Sequence, residues 1–311
     1  MREQLSSIQS LVDNVSKVVV GKDETIRLII ASLLSRGHVL LEDKPGVGKT
    51  MLARALARSV DCGFKRIQCT PDLLPADVTG YFDPRSREFR AGPVFTNILL
   101  ADELNRATPR TQSALLEAMG EGQVSIEGET YLLPDPFIVI ATQNPVEHRG
   151  VNDLPEAQLD RFQVLLTPGY PSEADEKKIL MNRQVRDPLL DLSPVMDINQ
   201  LRDLIALVPK VVMSESLVDY VIHLVRATRT SPLLYVGASP RCAIQLMQLS
   251  RAHALVENRS YVVPDDVKRL AAHVLPHRVL PNTTSSETMN TTEWKQEIVK
   301  RLIDETRPPM S

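Results

Sequence analysis

Cysteine, aromatic residues and long apolar runs are all scarce in this chain. Its three cysteines, Cys62, Cys69 and Cys242, lack paired ligand spacing, and an odd number argues against a disulfide framework. They read as buried or half-buried thiols in a reducing compartment. Residues 1–4, Met-Arg-Glu-Gln, carry no apolar signal core, and no window approaches the roughly 18 apolar residues of a membrane helix. The expectation is a cytoplasmic protein without a membrane segment. An excess of one charge is missing too: 36 basic against 39 acidic residues leave a formal net charge of −3. With aromatics at 4%, no basic stretch interleaved with rings marks a nucleic-acid surface. Long repeats and coiled-coil heptads are also absent.

What remains is an ordinary globular composition, 43% hydrophobic and 24% charged over 311 residues, enough for two domains with real cores. Apolar residues at helical spacing (Leu5, Ile8, Leu11, Val12, Val15) predict a first helix, and residues 25–34 a second, with Val18-Val19-Val20-Gly21 between them. Short, largely apolar runs at residues 39–41, 97–101, 137–141 and 163–166, separated by helical patterns, predict a parallel sheet covered on both faces. Residues 64–69 read as a further strand, and residues 123–126 with 130–133 as a hairpin.

Composition changes at Thr167-Pro168-Gly169-Tyr170-Pro171. After it, residues 172–185, 199–207, 214–228, 239–257 and 264–275 read as helices, and no convincing strand is predicted. The expected division is an α/β domain over 1–168, a helical domain over 169–280, and a linker with one weak helix over 281–311.

Residues 40–50, Leu-Leu-Glu-Asp-Lys-Pro-Gly-Val-Gly-Lys-Thr, run from an apolar strand through a glycine turn into a helical pattern. Such a loop brings backbone N–H groups and a helix N-terminus to phosphate oxygens. Pro45, Gly46, Val47, Gly48, Lys49, Thr50 and Met51 are the candidate nucleotide contacts, Lys49 on the β- and γ-phosphates and the Thr50 hydroxyl on Mg²⁺. Asp43 stands where the usual pattern has its first glycine. At the end of the strand at 97–101, Asp102 is placed to hold Mg²⁺ and Glu103 to orient and deprotonate an attacking water. Asn144, ending the next apolar strand, can donate its amide to the γ-phosphate or to that water.

These segments carry a resemblance. Gly46-Val-Gly-Lys-Thr50, residues 98–107 (Ile-Leu-Leu-Ala-Asp-Glu-Leu-Asn-Arg-Ala), Gln112-Ser-Ala-Leu-Leu-Glu-Ala-Met119, Ile140-Ala-Thr-Gln-Asn-Pro145 and Leu154-Pro-Glu-Ala-Gln-Leu-Asp-Arg-Phe162 resemble, in order, the MoxR family of AAA+ ATPases. The resemblance implies a P-loop fold with a helical lid, ATP and Mg²⁺ as ligands, and a homo-oligomeric ring, usually a hexamer. It implies ATP turnover that remodels a partner protein, often one with a von Willebrand factor A domain, which would act in trans. It makes Val19, Val20 and Gly21 candidates for the adenine pocket, Asn144 the first sensor, Arg161 an arginine finger and Arg241 the lid's sensor. Residues 85–89 and 125–132 fit the family's projecting hairpins.

Two positions depart from that pattern. Asp43-Lys44 replaces a glycine and an uncharged residue, so Asp43→Gly is expected to tighten nucleotide binding. Gly120-Glu121-Gly122 replaces charged helix residues and is expected to loosen the base of the second hairpin. Two other readings stay open: a nucleotide-gated scaffold with little hydrolysis, supported only by Asp43, and a nucleic-acid motor, opposed by the acidic balance.

Overall fold

The computed structural model describes residues 2–42, 48–86, 88–144, 152–183, 188–282 and 292–309. Two helices, α1 (Arg2–Ser16) and α2 (Asp23–Leu34), precede the first strand, β1 (His38–Glu42). Then follow α3 (Lys49–Ser59), β2 (Phe64–Gln68), α4 (Pro75–Thr79) and the hairpin of β3 (Gly80–Phe82) with β4 (Phe89–Ala91). Next come β5 (Ile98–Asp102), α5 (Pro109–Glu121), the hairpin of β6 (Gln123–Ile126) with β7 (Glu129–Leu132), β8 (Ile138–Gln143), α6 (Glu156–Leu159) and β9 (Phe162–Leu166).

Five of these strands form one parallel sheet in the order β2-β5-β8-β1-β9. Its inner strands are buried on both faces, which is why they read as unbroken apolar runs. Side chains alternate between two cores. Val39 and Leu41 join α1, α2 and α3 on one face, while Leu40 joins α4 and α5 on the other. Each Leu or Ile buried this way contributes roughly 1.5–3 kcal/mol. β2 is an edge strand, and Lys65, Arg66 and Gln68 are exposed on it.

The rest of the chain is α7 (Glu173–Arg183), α8 (Ile198–Leu207), α9 (Glu215–Thr230), β10 (Leu234–Val236), α10 (Pro240–Val256), α11 (Pro264–Val274), β11 (Leu280–Pro281) and α12 (Thr292–Glu305). Its apolar residues continue the cluster of α1–α3, with α10 against α2. The expectation of no strand here needs correction, because β10 and β11 pair as a short antiparallel ribbon. Elements of three and two residues are too short to show a period. The helix expected to be weak, α12, buries Ile298, Val299, Leu302 and Ile303 and is tied by Lys268 Nζ to Asp304 at 3.0 Å. At Gly120-Glu121-Gly122 the second hairpin is not loosened. Gly122 ends α5 at φ 65°, and its carbonyl accepts the Leu133 N–H at 2.9 Å, closing the base.

Candidate nucleotide site

The order β5-β8-β1 places three strand ends side by side, beside the first turn of α3. The ends of β2, β5 and β8, with Gly48 and the first turn of α3, border a cleft of about 320 Å³. Gly48 caps α3 in the left-handed region at φ 92°, a conformation that suits glycine. Gly48 offers no side chain to cap this helix and no acid sits in its first turn, whereas Thr108, Asp197 and Ser239 cap α5, α8 and α10. The positive end of α3 is thus presented to the cleft, as an anion site requires. Lys49, Thr50 and Met51 line the cleft with Gly48. Asp43, Lys44, Pro45, Gly46 and Val47 lie outside the described residues, so the expectation at Asp43 carries no structural account.

Asp102 and Glu103 face this turn from the end of β5, and Asn144 lines the same cleft from beyond β8. Asp102 is buried. Its Oδ1 accepts from Thr142 Oγ1 at 3.0 Å and its Oδ2 from Arg66 Nε at 2.7 Å. Glu103 adopts φ 55°, ψ 48°, left-handed backbone that a non-glycine residue rarely takes and that clusters at functional sites. Its N–H donates to Thr142 Oγ1 at 2.9 Å, so one hydroxyl orders both acids. Its Oε2 accepts from Gln68 Nε2 at 2.8 Å and from Arg106 Nη1 at 2.9 Å. Arg66 Nη2 in turn donates to Gln68 Oε1 at 2.8 Å.

Val19 is buried and lines a small recess between Leu41, Gly48, Leu52 and Pro168, beside the first turn of α3. Val20 is half-buried in the same turn, and Gly21 lines an adjoining recess with Thr25 and His273. A Cβ at Gly21, where φ is 74°, would collide with the Asp175 carboxylate. Lys22 Nζ donates to the carbonyls of Pro168, Gly169 and Tyr170 at 2.7, 2.9 and 3.1 Å, stapling the start of the helical region to this turn.

Arg161 and Arg241 stand elsewhere. Arg161 directly precedes β9, whose first residue Phe162 is in register with His38 at the start of β1. Its Nη1 donates to the Leu116 carbonyl of α5, a contact that a Cβ at Gly120 would block. Arg241, exposed in the first turn of α10, acts electrostatically on His38. Between this end of the sheet and Lys49 runs β1, which spans roughly 16 Å at the usual rise. Asp160 joins the segments that carry the two arginines, accepting from Ser239 Oγ at 3.2 Å and from Arg278 Nε at 2.8 Å. His38 is buried here. Its Nε2 donates to the Met119 carbonyl at 2.9 Å and its Nδ1 accepts from Val139 N–H at 3.0 Å. Burial, helped by the Arg241 charge against the Met119 bond, lowers its pKa to about 4.

The AAA family of ATPases associated with various cellular activities matches residues 38–164 of this chain, and the AAA lid domain matches residues 226–301. The chain is 41% identical to the Chaperone MoxR1 of Mycobacterium tuberculosis, over 89% of this chain and 76% of that protein. It is 31% identical to the Protein MoxR of Methylorubrum extorquens, over 85% of each. The chain belongs to the MoxR family of AAA+ ATPases. A further relative, 50% identical over 86% of this chain and 85% of its own length, is the uncharacterized YeaC of Bacillus subtilis. The crystal structure of a candidate ATPase from Cytophaga hutchinsonii superposes with a TM-score of 0.90 at 36% identity, covering 99% of this chain and 96% of that one. The P-loop fold with a helical lid is therefore that of the family.

For this MoxR protein the sequence motifs bring Gly48, Lys49, Thr50, Met51, Asp102, Glu103 and Asn144 to one cleft. They do not bring Arg161 or Arg241 there. Four further contributors have no role assigned by the motifs: Arg66, Gln68, Arg106 and Thr142. Arg66 and Gln68 alternate along β2, so they share one face, and Thr142 sits in a polar strand end. Those were the available signals.

Proposed function

We propose that this chain hydrolyses ATP within a homo-oligomeric ring, taken as a hexamer, and uses the turnover to remodel a protein partner supplied in trans. The observation that carries this reading is the split between strand ends. Lys49, Thr50, Asp102, Glu103 and Asn144 line one cleft, while Arg161 and Arg241 lie at the opposite end of the sheet. Both arginines stand off from their own chain's cleft by about the length of β1, so we read them as serving a neighbour's nucleotide.

Within the cleft, Lys49 and the first turn of α3 hold the phosphates. Glu103, already aimed by Thr142 and Arg106, orients the attacking water and takes its proton, and Asn144 fixes the γ-phosphate or that water. Arg161 of an adjacent subunit would neutralise charge developing on the γ-phosphate, and Arg241 would report nucleotide state to the helical domain. Thr50 and Asp102 offer the hard oxygen donors that suit Mg²⁺. Among the described residues no group of three or more His, Cys, Asp or Glu could hold a metal, so Thr50 and Asp102 would hold the ion together with the nucleotide. When bound, Mg²⁺ would supply neutralisation of phosphate charge. Val19, Val20 and Gly21 would border the base.

The chaperone-like role follows the named relatives, and a von Willebrand factor A domain protein is the partner class this reading takes up. No helix among the described residues is long and apolar enough to cross a membrane. We take the chain as cytoplasmic, where ATP is abundant and its thiols stay reduced. Steady-state phosphate release, followed against chain concentration for wild type and Glu103→Gln, tests the ATPase reading. Turnover per chain should rise steeply as rings assemble, and Glu103→Gln should lower it by about 100-fold or more while still binding nucleotide. Equal, near-zero rates with nucleotide bound would leave only the scaffold reading.

A further inference from the structure

We propose that Arg66 is a built-in counter-ion that competes with the divalent cation for Asp102, so that metal entry requires its guanidinium to swing away. The inference rests on the reading of the cleft as a Mg²⁺–ATP site and adds a role that none of its motifs assigns.

β2 pairs with β5 so that Arg66 lies opposite Leu100 and Gln68 opposite Asp102. Both side chains lie on the face that carries Leu100 and α3, and both line the cleft. Arg66 Nε donates to Asp102 Oδ2 at 2.7 Å, a charge-assisted bond. Thr142 occupies Oδ1. Both oxygens of the one carboxylate at this position are thus engaged from within the chain, and the stronger partner is itself a cation. A divalent ion on Asp102 would come within roughly 4 Å of that guanidinium, close enough for strong like-charge repulsion in a half-buried cleft. The asymmetry of the pair makes exchange feasible. Asp102 is 10% exposed at its side chain and held in place by Thr142, whereas Arg66 is 47% exposed on an edge strand. The arginine can leave into water and the carboxylate stays. Its second bond, to Gln68 Oε1, links that departure to the amide that holds Glu103.

Mn²⁺ titration followed by electron paramagnetic resonance, on the full chain with a non-hydrolysable fluorescent ATP analogue, tests this. Arg66→Gln should lower the half-saturating Mn²⁺ concentration roughly tenfold, the size expected for removing a partly exposed like charge. Arg66→Lys, which keeps the charge but loses the planar fork, should fall between it and wild type. Affinity for the analogue in chelator should shift far less than affinity for Mn²⁺. Damage to the fold would weaken metal binding, so the predicted sign is opposite to that of simple disruption. Unchanged or weaker Mn²⁺ binding in both variants would overturn the competition. Loss of metal-independent affinity would overturn it in favour of direct phosphate contact by Arg66. A wild-type chain that binds no analogue would remove the ATP reading itself, and this inference with it.

Discussion

At the carboxyl ends of the sheet strands, the acids are held by side chains that can let go. Arg66, Gln68 and Arg106 are all substantially exposed, and each bond to Asp102 or Glu103 is worth about 0.2–1 kcal/mol in such surroundings. At the amino ends the polar groups are bolted. The Arg278 side chain is 1% exposed, pairs with Asp160, and donates to the carbonyls of Phe162, Gln163 and Val274 and to Gln245 Oε1. Asp160 also takes the Ser239 hydroxyl at the head of α10. On the proposed reading, one end exchanges partners and the other keeps Arg161 and Arg241 on a fixed platform. A ring would need both: a cleft that changes with its ligand, and a rigid face that reads the cleft next door.

Breaking the platform's outward function should give the largest effect. Arg161→Ala is expected to lower turnover about 1,000-fold, near 4 kcal/mol of transition-state stabilisation, while each chain still binds nucleotide. Phosphate release with parallel binding isotherms checks it. If Arg161 served only its bond to Leu116, a modest fall in melting temperature would accompany near-normal turnover.

Next comes the bolt itself. Asp160→Asn leaves the Arg278 guanidinium buried without a counter-charge and should cost about 3 kcal/mol of stability. Arg66→Gln, at the other end, should cost under about 1 kcal/mol. Urea unfolding of both variants sharpens the comparison, and equal losses would erase it.

Acid should also loosen the amino-end face first. His38 is neutral in the fold with a pKa of about 4 against an ordinary 6.5, so the unfolded chain binds the extra proton between those values. Stability is therefore complete above pH 6.5 and falls as pH drops toward 4, by about 3 kcal/mol from this group. His277, buried and hydrogen-bonded to the Phe162 carbonyl, is lowered well below its ordinary value by burial and by the Arg278 charge, and adds in the same direction. Melting temperature measured across pH 4 to 7 should slope steeply for wild type and less for His38→Gln.

The smallest effect belongs to the exchangeable end. Gln68→Ala removes one of the two bonds on Glu103 Oε2, with Arg106 left in place. Turnover should shift only about two- to fivefold, and stability hardly at all. A collapse of activity in steady-state phosphate release would mean that Gln68, rather than Thr142, aligns the acid.

The inner strands were legible because Leu40, Ile98–Ala101 and Ile138–Ala141 are apolar on both faces, the pattern of a covered parallel sheet. The meeting of Lys49, Thr50, Asp102 and Glu103 in one cleft was legible because each stands where a strand ends or a helix begins. Arg66 and Gln68 were not, since only the β2–β5 register brings them to acids more than thirty positions away. Nor was the place of Arg241, which depends on α10 packing against α2 near the start of β1, a tertiary choice that no local pattern encodes. The β10–β11 ribbon escaped for want of length.

The shared site is tested most directly by mixing two inactive variants. Glu103→Gln lacks the proposed base in its own cleft but retains Arg161, and Arg161→Ala lacks the proposed finger but retains Glu103. When the two are combined at ring-forming concentration, clefts with Glu103 facing a neighbour with Arg161 should form, and ATP turnover should reappear well above either variant alone. A mixture as inactive as its components, in rings shown to exchange subunits, would contradict the account.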